Sequence, residues 1–115
     1  MARCLSKQAM MTAQEAIDTA VQRLVTAANP KKVILFGSFA EGTATSESDV
    51  DLLVIEHEIS SKRAEMVRLR KAIGSIGFPV DVLVVSEGEV ADWGHLPGTA
   101  MYWALKEGKV LYEAA

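Results

Sequence analysis

At 115 residues the chain is sized for one domain with its own core. Half of its residues are hydrophobic and 23% are charged, and the formal net charge of −3 argues against direct binding of a long nucleic acid, which calls for a basic surface. No apolar run is long enough for a membrane span, and the single cysteine, Cys4, cannot close an internal disulfide, so a reducing cytoplasm is the expected compartment.

Residues 1–11 read as a flexible N-terminal tail without the apolar core of a signal peptide, and 12–115 as the folded domain. Thr12 followed by Glu15 is a capping-box spacing. Ile17, Val21, Leu24, Val25 and Ala28 then recur at helical intervals until Asn29-Pro30 stops the helix. Lys31 to Phe36 reads as a strand, Phe39 to Glu41 as a short helical turn, and Gly42 to Ser48 as a loop. A second strand runs from Val50 to Glu56. Ser60 or Ser61 caps a second long helix expected to reach about Ile76, with Met66, Val67, Leu69, Ile73 and Ile76 as its buried positions and Gly77 as its end. Pro79 leads into a third strand, VDVLVV; Ser86 and Glu89 cap a short helix containing Trp93; a last helix spans about Pro97 to Glu107; and KVLY forms a closing tail. Strands joined through a long helix form a parallel pair, so the expected class is α/β (α+β), a small mixed sheet flanked by helices.

The chemistry concentrates in VILFGSFAEGTATSESDVDLLVIEHE. Residues alternate across a strand, so Asp49 and Asp51 face one way and Leu53 and Ile55 continue that face. In VDVLVV, Asp81 takes the matching place ahead of Leu83 and Val85. If the two strands are neighbours, three carboxylates meet at one end of the sheet. Like charges about 4 Å apart repel by roughly 4 kcal/mol at an effective dielectric of 20, so the cluster calls for protons or cations. Hard oxygen donors favour Mg²⁺ or Mn²⁺, which commonly join carboxylates to substrate phosphates. Gly37-Ser38 lies at the end of the first strand, where glycine permits a tight turn and backbone N–H groups can cradle an anion. A phosphate cradle beside a site for two divalent ions is the equipment of phosphoryl or nucleotidyl transfer. Taken singly, a D-x-D at a strand start is ordinary turn chemistry. The conjunction with Gly-Ser upstream and with Asp81, expensive to bury unpaired, carries the functional reading.

Gly-Ser, ten residues and D-x-D resemble the signature of the DNA polymerase beta-like nucleotidyltransferase superfamily. The short chain, the acid in VDVLVV and the closing EGKVLYE resemble its minimal nucleotidyltransferase (MNT) branch, over about residues 14 to 113. That resemblance implies metal binding by Asp49, Asp51 and Asp81, with Asp81 also a candidate base, and triphosphate binding by Gly37 and Ser38. It implies ATP as nucleotide, two Mg²⁺ (or Mn²⁺), and an MntA-like antitoxin paired with a HEPN-family ribonuclease toxin, which receives AMP on a tyrosine. Glu41 departs from the family pattern, where arginine is frequent at that place in G-S-x-A-R-G. The alternatives are a non-catalytic antitoxin acting by occlusion, and transfer to a small molecule; a homo-oligomer is compatible with either. Size favours a protein acceptor, since little chain remains to build a second pocket. The remaining candidates read as structural: Lys62, Arg63, Arg68, Arg70 and Lys71 as a solvated helix face, His57 and His95 as surface and loop residues, and Trp93, Tyr102 and Trp103 as core or interface anchors.

Overall fold

The computed structural model describes residues 12–45 and 48–114. Helix α1, Ala13–Ala28, begins where the capping box lies: Thr12 accepts from the Glu15 N–H, and the Glu15 carboxylate accepts from the Thr12 N–H. Ala16, Ile17, Ala20 and Leu24 line its buried stripe. Asn29 ends it in the left-handed region, φ 47°, with its N–H on the Val25 carbonyl. Strand β1, Lys32–Phe36, leads into the helical turn α2, Ser38–Glu41, and strand β2 covers Val50–Glu56. Helix α3, Lys62–Ile73, crosses over to β3, Val80–Ser86. Helices α4, Glu87–Trp93, and α5, Ala100–Glu107, precede β4, Lys109–Glu113.

The strands form one mixed sheet in the order β3-β2-β1-β4. β2 and β3 are parallel, as their helical connection requires, while β1 is antiparallel to both β2 and β4. β2 is central and its residues after Asp51 are buried on both faces, which is why it reads as a continuous apolar run. Val50, Leu52 and Val54 join Val33, Leu35, Val82 and Val84 under α1 and α3. Leu53, Ile55, Ile34 and Val85 form a smaller core on the other face with Met101 and Ala104 of α5. Each such fully buried valine or leucine contributes about 1.5–3 kcal/mol relative to exposure. Among the described residues no helix is long and apolar enough to cross a membrane.

The structure corrects several expectations. α3 stops at Ile73, because Gly74 adopts φ 67° and takes the cap; Ile76 is buried from the loop beyond. Val67 is 48% exposed rather than core, since Leu69 and Ile73 carry the inward stripe. The last helix starts at Ala100, capped by Thr99, and not at Pro97. KVLY is no tail: Lys109–Glu113 forms the edge strand against β1. The expected tail over 1–11 lies outside the described residues, as do residues 46–47 of the loop before Asp49.

Candidate active site

Register decides which carboxylates meet. Asp51 pairs across the parallel ladder with Asp81, and Leu53 with Leu83 and Ile55 with Val85 follow in step. Neighbouring strands lie about 4.8 Å apart, so side chains at paired positions on one face stand side by side. On its other flank Asp51 pairs with Phe36 of β1, which places Gly37 just past the same end of the sheet. Asp49 immediately precedes β2. The D-x-D, the distant Asp81 and the Gly-Ser turn thus converge through strand pairing alone. Asp49 and Asp81 are exposed and Asp51 is half-buried. The expectation that Asp81 would be buried does not hold; it sits at the open mouth of β3, where the apolar run begins only with Val82.

Burial, then the charge of Asp81, then that of Asp49 raise the Asp51 carboxyl above its ordinary range. No ion pair among the described residues reaches any of the three acids. Also among the described residues, no three histidine, cysteine or acidic side chains stand close enough together to hold a metal ion as they are. The cluster is therefore grouped by its field rather than closed into a cage, and its uncompensated hard oxygen donors fit a divalent cation chemically.

Gly37 could be nothing else. Its φ of 77° lies in the region that favours glycine, and a Cβ at this position would collide with the Asp51 carboxylate. Its carbonyl accepts from the N–H groups of Ala40 and Glu41, and the Ser38 carbonyl from that of Thr43, so the turn folds back on itself beside the acid. Among the described residues no side chain caps the start of α2. Ser38 is half-buried here and Glu41 is exposed.

Other candidates lie elsewhere. His57 pairs with Glu87 at 2.7 Å. Lys62, at the start of the basic helix, pairs with Glu89 at 2.5 Å, beyond the opposite end of β2 from the acids. Arg68 holds Glu65 and the Ala27 carbonyl.

The family model "Polymerase beta, Nucleotidyltransferase" matches residues 18–115. The chain belongs to that family. It is a nucleotidyltransferase of the minimal, polymerase beta-like kind. It is similar to a Methanocaldococcus jannaschii protein named "Putative protein adenylyltransferase", with 32% identity over 87 residues, 71% of this chain and 78% of that one. A second protein of that name and organism is 46% identical over 41 residues, 36% of this nucleotidyltransferase and 28% of the relative. Among solved structures, a Sulfolobus solfataricus protein described as a "putative nucleotidyltransferase" superposes with a TM-score of 0.50 at 21% identity, covering 90% of this chain and 92% of that one. A structure described as a toxin-antitoxin with AMP-PNP gives a TM-score of 0.52 at 20% identity, covering 84% and 73%. At those identities the two structures establish the fold.

Proposed function

We propose that this nucleotidyltransferase moves AMP from ATP onto a tyrosine of a partner toxin of the HEPN ribonuclease type, and so acts as its antitoxin. The observation that carries the reading is the Asp51–Asp81 pairing at the sheet end where Gly37 packs against Asp51. The names borne by the Methanocaldococcus relatives support a protein acceptor, and the toxin-antitoxin neighbour with AMP-PNP supports both the nucleotide and the kind of partner. Asp49, Asp51 and Asp81 would hold divalent metal, Mg²⁺ or Mn²⁺, and Gly37 and Ser38 the triphosphate. The ions would supply charge neutralisation for the phosphates and for the attacking and leaving oxygens.

In the transfer the tyrosine oxygen bonds to the α-phosphorus, the bond from that phosphorus to the bridging oxygen breaks, and pyrophosphate leaves. The phenolic proton passes to a carboxylate, for which the exposed Asp81 at the mouth of the cluster is the accessible candidate. Gly37 keeps the turn close to Asp51, which side chains larger than hydrogen would prevent. The site is open, so an acceptor presented by a second protein can enter it, and positioning by that protein supplies part of the rate.

The test is incubation of the chain with Mg²⁺ and α-labelled ATP, with and without the toxin encoded beside it. Label should appear on a tyrosine of the toxin, and only with the toxin present. Label on a small alcohol or an RNA end without partner would contradict the proposal. Full protection of cells by an Asp49→Asn variant that binds the toxin but leaves it unlabelled would assign the antitoxin role to occlusion.

A further inference from the structure

Between the end of β1 and the outer side of α5 runs a cleft of about 170 Å³, lined by Phe36, Gly37, Glu41, Ala100, Trp103 and Glu107. It starts at the very glycine that packs on Asp51. Phe36 is the cross-strand partner of Asp51 and packs into the small core beneath α5, so the cleft lies on the carboxylate face of the sheet. The geometry points to this cleft as the seat of the nucleobase, with Trp103 as the stacking surface and Glu41 and Glu107 as acceptors that select a base with an exocyclic amine. This rests on the nucleotide reading above and deepens it by naming the base subsite.

Size, shape and charge lead to that occupant. The cleft is smaller than the roughly 300–1,000 Å³ that encloses a whole small molecule, so it suits one ring system with sugar and phosphates lying outside, toward Gly37. Trp103 is 47% exposed, an open indole surface of the kind on which bases stack. Its ring is braced by neighbours on its own helix: Tyr102 stands roughly perpendicular to it at 5.1 Å between centroids, and the Lys106 ammonium lies over it 5.7 Å from its centre. Bracing fixes the stacking surface before the ligand arrives. Glu41 and Glu107 have no ion pair among the described residues, and an ionised carboxylate can only accept hydrogen bonds. Two free acceptors beside an aromatic wall match the amine of adenine or guanine, whereas hypoxanthine carries no exocyclic amine and offers them only its ring N1–H. They also explain why a glutamate serves at position 41. It faces the base cleft beside Glu107, where an arginine would pair with that carboxylate and leave neither acceptor free.

Calorimetric titration of the full chain in Mg²⁺ with ATP, GTP, ITP and tripolyphosphate tests this. ATP or GTP should bind about tenfold or more tightly than ITP and tripolyphosphate. Trp103→Ala should lose about tenfold in affinity for the better of the two purines and leave tripolyphosphate binding unchanged, whereas Trp103→Phe retains most of it. The double variant Glu41→Ala/Glu107→Ala should bind ATP and ITP alike, and circular dichroism should show an unchanged fold in every variant. Nucleoside triphosphates that bind no better than tripolyphosphate would remove the base subsite and leave the phosphate reading standing. No binding of any of the four would overturn both. A Trp103→Ala protein with unchanged nucleotide affinity but a raised KM for the acceptor would give the cleft to the acceptor side chain instead.

Discussion

The two ends of β2 both carry acids, and the protein treats them in opposite ways. Beyond its C-terminal end three acids have a basic partner: Glu65 has Arg68, Glu87 has His57 and Glu89 has Lys62, while the exposed Glu58 has none among the described residues. Those partners hold the Glu65 carboxyl low through Arg68 first, and the Glu87 carboxyl low through His57 first. Glu89 stays low although burial pulls it upward, because Lys62 and Ser86 outweigh that pull. Glu56, 9% exposed, has a buried Oε2 with no hydrogen-bond partner among the described residues, and burial followed by the neighbouring Glu65 carboxylate pushes its carboxyl up to about 7. Apart from Glu58, that end resolves its charge internally, by pairing or by a proton. At the N-terminal end Asp49, Asp51 and Asp81 have no ion-pair partner among the described residues, and they lie open to solvent or half-open. Acids that a fold compensates serve the fold. Acids that it groups and leaves uncompensated are set for something that arrives.

Substitutions at the two ends should therefore differ in kind. The largest effect is expected from Asp51→Asn: transfer falls by about 10³-fold or more, while the melting temperature holds or rises because one repulsion is gone. Single-turnover rates and a thermal melt, read side by side, check this. Gly37→Ala couples both properties, since the left-handed φ and the collision with Asp51 should cost about 1–3 kcal/mol of stability and most of the activity, measurable by urea denaturation.

Glu56→Gln should act on stability alone. In the fold this carboxyl titrates near 7 and in the unfolded chain near 4.5, so the folded state binds more protons between those values. Stability of the parent should thus fall as pH rises from about 4.5 to 7 and then level off. The variant should lose that descent and gain on the order of 1–3 kcal/mol above pH 8, with transfer activity unchanged. Glu65, held low by Arg68, has the opposite sign and withdraws stability only as acid protonates it. The smallest effect belongs to Lys62→Ala, whose half-exposed pair with Glu89 should be worth at most about 0.5–1 kcal/mol, less in high salt.

Much of this was legible because local chemistry and long-range pairing agree. The capping boxes at Thr12 and Ser86 marked helix starts, and the matched acid-then-apolar order in β2 and β3 foretold the register that joins Asp51 to Asp81. Edge strand β4 escaped notice because Lys109, Val110 and Glu113 are exposed, so no alternation announces it; only pairing with β1 makes it a strand. The end of α3 was misplaced because Gly74 and Gly77 are both plausible stops, and only the backbone angle shows which one caps. The cleft beside Trp103 could not be read from sequence at all, since it joins the end of β1 to a helix some sixty residues away.

Thermal unfolding in the presence and absence of MgATP, run on the parent, Asp51→Asn and Glu56→Gln proteins, bears most directly on the contrast between the two ends. Binding to the folded state alone must raise the melting temperature. The parent and Glu56→Gln should both rise, and Asp51→Asn should not. A rise that persists in Asp51→Asn, or one that vanishes in Glu56→Gln, would place the cation and nucleotide at the wrong end of β2 for this account.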